Sequence, residues 1–207
     1  MASILIDAPH ARPPDQRLGP GTDPINFSKQ DRAEQIQLMV DLRRAVDHLQ
    51  SLPTVDPERI GYMGVSYGGA MGGLLAGIED RIAGYVLAVG DGGLVTNQTG
   101  PEDTQWAYAD LTPAQQQALL DLMEPIEPIY YIGQSVAPIL FQSGMRDEVV
   151  PPEDAAAYHL AGNEQSEVRW YDAGHGLNYE ARCDAAAWLG QHLGFDGSEL
   201  AGCEPTD

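Results

Sequence analysis

Lysine is almost missing from this chain. Lys29 is the single one, and arginine supplies the rest of only 11 basic residues, against 31 Asp and Glu. The formal net charge is −20 and the isoelectric point lies near 4.3. Nucleic acid and anionic membrane surfaces both require a basic patch, so neither is an expected partner. Long apolar runs are lacking as well: no stretch reaches the ~18 residues of a membrane span. The opening residues Met1 to Asp7 have neither the basic start nor the apolar length of a signal peptide, so a cytoplasmic location is expected. Cysteine occurs twice, as Cys183 and Cys203, without metal-ligand spacing. Nothing else marks an oxidising compartment, so free thiols are expected rather than a bridge. No metal and no organic cofactor is implied.

Two readings fit the acidic bias. A high-salt habitat favours a dense carboxylate surface whose self-repulsion is screened, and a GC-rich genome favours Arg and Ala codons over Lys. Apolar residues make up 43% of the 207, which favours a globular chain of one domain with a real core.

The chain has no internal repeat and reads as strands alternating with helices. Ser3 to Asp7 is expected to be a buried strand, and the Pro- and Gly-rich stretch 8–24 a loop. Ser28 then caps a long helix carrying a stripe of Ile36, Met39, Val40, Arg43, Val46 and Leu49, ending before Pro53. Further strands are expected at 59–65, 85–89, 139–142 and 167–171. Helices are expected at 68–78, after Thr112-Pro113, at 152–160 and at 179–193. Residues 91–135 break the rhythm and are expected to form a small cap, and the tail from 194 is acidic. Such alternation predicts an α/β fold, a mostly parallel sheet with helices on both faces.

Gly64-Val65-Ser66-Tyr67-Gly68 lies between an expected strand and an expected Gly-rich helix. A G-x-S-x-G run in that context forms a strained turn that holds a serine hydroxyl clear of the sheet. Side chains at 64 and 68 are expected to collide with the turn, while Gly69, Ala70, Gly72 and Gly73 keep the helix close to the strand. A serine needs a base to take its proton, and the base needs an acid to orient it. Asp147 and His175 each follow a later strand, in the order Ser, Asp, His that this architecture uses. Glu148 and Asp172 are alternative acids, with Asp172 better suited to a turn. His10, His48, His159 and His192 are rival bases; His48 and His192 fall on helices, while His10 sits in a loop at a strand end.

These segments resemble the α/β-hydrolases of the dienelactone-hydrolase and prolyl-oligopeptidase-like esterase group. The likeness is carried by Val55-Asp56-Pro57-Glu58-Arg59-Ile60-Gly61 leading into Gly64-Val65-Ser66-Tyr67-Gly68-Gly69, by the acid loop 144–151, and by Gly174-His175. It implies Ser66 as nucleophile, Asp147 as acid, His175 as base and the N–H of Tyr67 as an oxyanion donor. Dienelactone hydrolases proper typically use cysteine where Ser66 stands. The chain also departs from the group at its start. The strands that come before the group's fourth, which Ser3 to Asp7 resembles, have no counterpart, nor has the third strand with its oxyanion loop. The expected fold is thus an N-terminally truncated version of the group's.

An empty slot beside 59–65 leaves buried backbone groups unpaired, which a stable sheet does not tolerate. The sequence is therefore a fragment of a longer protein, or Ser3 to Asp7 slides beside 59–65, or a second copy supplies the strand in a homodimer. The expected activity is hydrolysis of small to medium acyl esters as small-molecule substrates through an acyl-enzyme on Ser66. Trp106, Tyr108, Tyr130 and Tyr131 are the expected pocket walls. A peptidase or acyltransferase on the same triad is the second reading, and a catalytically weak or inactive binding protein the third.

Overall fold

The computed structural model describes residues 2–16, 28–93, 111–197 and 203. Its nine regular elements, apart from short 3-10 turns, run α1 (Lys29–Ser51), β1 (Gly61–Val65), α2 (Tyr67–Ala76), β2 (Gly84–Ala88), α3 (Pro113–Met123), β3 (Ile139–Gly144), α4 (Pro152–Leu160), β4 (Ser166–Tyr171) and α5 (Tyr179–Leu193). The four strands form one parallel sheet in the order β1-β2-β3-β4. β2 and β3 are buried along their whole length, as the apolar runs Tyr85–Ala88 and Ile139–Phe141 require. One face of the sheet carries α1, α2 and α4, with Leu38, Met39, Met71, Leu75, Phe141 and Tyr158 in the core. The other face is covered by α5, whose Trp188 packs on Val86 and Leu140. The α/β architecture with helices on both faces is the one expected.

α1 begins where Ser28 Oγ accepts the N–H of Asp31 at 3.1 Å. Its buried face differs from the expected stripe. Leu38, Met39 and Val46 are buried, but so are Asp31, Glu34 and Gln35, while Ile36 and Val40 are exposed. The polar first turns of the helix face inward and are partly paired there: Gln35 Nε2 donates to Asp31 Oδ2 at 3.1 Å. Arg43, the apparent interruption of the stripe, reaches across to Glu79 at 3.2 Å. Bonds from Arg81 and Arg43 hold the Glu79 carboxyl down to about 2, which locks the end of α2 to α1.

Two expectations fail here. Residues 2–8 form no strand, and no backbone bond joins residues 4–6 to 60–65. Leu5 is 96% exposed and Ile6 only rests on the edge of the core. The slide of Ser3 to Asp7 into the slot beside β1 does not occur, and among the described residues β1 is an edge strand with Met63 and Val65 about half exposed. A short apolar run becomes a strand only when a neighbour takes its backbone bonds, and Pro9 and Pro13 turn this one away after a few residues.

The cysteines are not free thiols. Cys183 and Cys203 form a disulfide with Cα atoms 5.6 Å apart. Gly194, at φ 67°, reverses the chain after α5, Phe195 N–H bonds Gly190 O, and Gly197 lies against the backbone of Ala186. Residues 195–197 thus run back along α5 in the direction of Cys183. Among the described residues no helix is long and apolar enough to cross a membrane.

His159 on α4 sits between the rings of Phe141 and Trp170, with Nε2 3.0 Å from Ser143 Oγ. Burial pushes its pKa down to about 4. The unfolded chain titrates this imidazole near 6.5, so between pH 6.5 and 4 the unfolded state binds the extra proton. Stability contributed by neutral His159 is therefore present above pH 6.5 and is lost as pH falls toward 4. Urea titrations of wild type and His159→Gln should converge as the pH drops through that window. Parallel pH profiles would exclude His159 as the source.

Candidate active site

The three side chains that the sequence assigns to catalysis come from the C-terminal ends of three strands. Ser66 follows β1 directly, Asp147 lies three residues beyond β3, and His175 four beyond β4. In an open parallel sheet this edge is where strands stop and loops converge. Ser66 has φ 54° and ψ −117°, the positive-φ turn expected of a nucleophile between strand and helix. Its N–H bonds Ala88 O at 2.9 Å, and its C=O accepts from Ala70, so the strained residue is held from both sides.

His175 Nε2 is 2.8 Å from Ser66 Oγ. On the other side of the ring, Nδ1 lies 2.9 Å from Asp147 Oδ2 and 3.1 Å from Oδ1. An ionised carboxylate has no hydrogen to give, so Nδ1 carries the proton and Nε2 is left to accept the serine hydroxyl. Asp147 is only 5% exposed. Its Oδ1 also accepts the N–H groups of Val149 and Val150 at 2.9 and 3.0 Å, which fix the plane of the carboxylate and compensate its burial. These two N–H groups were not foreseen. The Asp-x-Val spacing of an Asx turn is the signal that carries them.

The alternative acids are elsewhere. Glu148 faces solvent, and Asp172 is exposed in an ion pair with Arg146 at 2.9 Å. His48 ends α1, His192 stacks on Trp188, and His159 bonds Ser143; none of them approaches Ser66 by a hydrogen bond. Of His10 the side chain lies outside the described residues.

Tyr67 opens α2 immediately after Ser66. First-turn N–H groups lack acceptors inside their own helix, so this is where a developing negative charge is best received. The Tyr67 ring turns the other way. Burial, with Asp31 and Glu34 close by, raises its phenol pKa.

Of the expected aromatic pocket walls only Tyr130 and Tyr131 are described, and neither bonds toward Ser66. Tyr131 packs against Gly77, at the far end of α2, and its hydroxyl donates to Pro125 O at 2.7 Å. Tyr130 is half exposed and points at Glu124. With α2 ten residues long, this end lies about 15 Å from Ser66. The chain from α3 to residue 134 runs along α1 and α2 away from the serine, and carries both tyrosines with it. Trp106 and Tyr108 lie outside the described residues, as do residues 94–110 of the expected cap. Among the described residues no group of His, Cys, Asp and Glu is arranged to hold a metal.

The chain is similar to several known proteins. An uncharacterized peptidase, YuxL, of Bacillus subtilis (strain 168) is 27% identical over 172 residues, covering 74% of this chain and 25% of the relative. The chain thus spans about a quarter of that relative's length. The fold is shared with an acetyl xylan esterase from Paenibacillus sp. R4 (TM-score 0.69, 22% identity, 78% of this chain and 55% of that one). It is shared also with acetyl xylan esterase 1 from Thermoanaerobacterium sp. JW/SL YS485 (TM-score 0.68, 19% identity, 86% and 60%). A puromycin-hydrolyzing peptidase of Mycobacterium tuberculosis gives a TM-score of 0.61 at 22% identity, over 76% of this chain and 25% of that one. Residues 30–195 match the model of the prolyl oligopeptidase family, and this chain, with its α/β-hydrolase fold, belongs to that family.

Proposed function

We propose that the chain is a serine hydrolase that cleaves carboxylic esters of small to medium acyl chains through an acyl-enzyme on Ser66. The observation that carries this reading is the 2.8 Å approach of His175 Nε2 to Ser66 Oγ, with Asp147 behind the same ring. His175 takes the hydroxyl proton as Oγ adds to the ester carbonyl, and the oxyanion forms beside the N–H of Tyr67. His175 then returns the proton to the departing alcohol, leaving an acyl-Ser66. In the second half it takes a proton from water as hydroxide adds to the acyl carbon, and on collapse gives that proton to the departing Oγ, which frees the acid and restores Ser66. Asp147 holds the imidazole in its productive tautomer and stabilises the imidazolium that forms twice in each cycle.

Esters are favoured over amides on chemical grounds. An alkoxide leaves more readily than an amine, so an ester needs less help from the oxyanion site, where Tyr67 is the donor identified. The likeness to two acetyl xylan esterases, covering over half of each, supports the same choice. The family's peptidases, and the relative described as a peptidase, support the alternative. A series of p-nitrophenyl esters from acetate to octanoate, run beside peptidyl p-nitroanilides, separates the two. Turnover of the shorter esters with little or none of the anilides is expected; anilide turnover that matches the esters would overturn the ester reading.

A further inference from the structure

α2 is an improbable place to build precision. Four of its first seven residues are glycine (Gly68, Gly69, Gly72 and Gly73), each costing about 1 kcal/mol of helix propensity relative to alanine. Yet this turn must hold the N–H of Tyr67 and the hydroxyl of Ser66 in register. Two phenols, Tyr158 fully buried and Tyr62 partly so, meet it from different elements. Tyr62 on β1 donates its hydroxyl to Gly68 O at 2.8 Å. Tyr158 on α4 donates to Ala70 O at 2.9 Å, with Gly69 O at 3.4 Å. The carbonyls of three consecutive residues in the first turn therefore face tyrosine hydroxyls.

The glycines are shaped to these rings. A Cβ on Gly72 would come within 2.7 Å of the Tyr62 ring, and one on Gly73 would overlap the Tyr158 hydroxyl. Gly69 and Gly72 also let the helix lie against Ala88 and Leu87 of β2, but Gly73 faces Tyr158 and Ile132 rather than a strand. Burial raises the pKa of both phenols, so each keeps its proton and stays a donor at any working pH.

We propose that Tyr62 and Tyr158 are positioning residues that clamp the first turn of α2, so that the Tyr67 N–H and Ser66 Oγ keep the geometry the acyl transfer needs. This inference rests on the reading of Ser66 as nucleophile. Neither phenol touches the reacting atoms; both act through the carbonyls of residues 68–70. A helix of this composition, released at its first turn, samples orientations in which the oxyanion donor is misaimed. Small displacements at such a point cost rate rather than binding.

The test compares Tyr62→Phe, Tyr158→Phe and the double variant with Tyr85→Phe. Tyr85 is as deeply buried as Tyr158, and its hydroxyl donates to Glu79 O at 2.9 Å, away from the first turn of α2. Tyr62→Phe and Tyr158→Phe should each lower kcat on a p-nitrophenyl ester by about tenfold with KM unchanged, and the double variant by more. Amide hydrogen exchange at residues 67–73 should quicken in these variants and not in Tyr85→Phe. The pH profile of kcat should keep its shape, since His175 and Asp147 are untouched. Unchanged kcat and unchanged exchange at 67–73, with a loss of melting temperature equal to that of Tyr85→Phe, would overturn the clamp. If wild type neither turns over esters nor reacts with a fluorophosphonate at Ser66, the hydrolase reading fails by itself. The exchange measurement then still decides whether the phenols hold the turn.

Discussion

Ser66→Ala is expected to lower ester hydrolysis by about 10⁶-fold and Asp147→Asn by about 10⁴-fold, with the fold intact in both. The first figure follows from removing the atom that becomes acylated. The second follows from a proton in the wrong place. An asparagine at 147 can still accept the N–H groups of Val149 and Val150 through its oxygen. Its amide nitrogen then faces His175 Nδ1, and two donors cannot share that contact. The ring answers by moving its proton to Nε2, where it opposes the hydroxyl of Ser66 instead of accepting from it. A fluorophosphonate should label wild type at Ser66, react far more slowly with Asp147→Asn and leave Ser66→Ala unmarked. Labelling that survives Ser66→Ala would end the assignment. Full turnover by Asp147→Asn would leave His175 oriented by some other group.

The meeting of Ser66, Asp147 and His175 was legible because each follows the end of a strand in the expected order, although only β3, before Asp147, is an apolar run buried along its whole length. Tyr85 to Ala88 and Ile139 to Phe141 are buried on both faces, and such runs read as strands whatever surrounds them. The helices bounded by Ser28 and Thr112 were marked by their caps. What failed to show were features that depend on a neighbour distant in sequence. Ser3 to Asp7 has a strand's composition, but among the described residues no other strand pairs with it. Ile36 and Val40 have a core residue's chemistry, but α1 turns Asp31 and Gln35 inward instead, where they share one hydrogen bond. Cys183 and Cys203 are 20 residues apart, and only the reversal at Gly194 brings them together. Tyr130 and Tyr131 are aromatic enough for a pocket wall, yet sequence says nothing of the direction in which their segment runs along α2. Tyr62 and Tyr158 were likewise visible only as apolar residues of a strand and a helix.

The two glycines that frame Ser66 should respond in opposite ways to the same added methyl group. At Gly64 a Cβ would overlap the carbonyl of Gly68, which is backbone of the turn itself and cannot rotate away. Overpacking of this kind costs about 1–3 kcal/mol, and a rigid obstruction belongs at the upper end. For a chain of this size that amounts to a fall of about 6–12 °C in melting temperature. To make room the elbow must open between β1 and α2, which carries Ser66 Oγ away from His175. Hydrolysis by Gly64→Ala should accordingly drop at least about 100-fold. At Gly68 the expectation drawn from the motif alone, that a side chain would collide, does not hold. A Cβ there meets only the Tyr62 hydroxyl at 3.8 Å, an ordinary contact, and the residue is not in the positive-φ region. Alanine is the better helix former by up to about 1 kcal/mol, so Gly68→Ala should melt at the same temperature or a few degrees higher. Thermal melts of the two variants beside wild type decide the matter. A stable Gly64→Ala would mean that the elbow closes less tightly than these distances require. A Gly68→Ala as damaged as Gly64→Ala would restore the view that both glycines of the motif are there for lack of space.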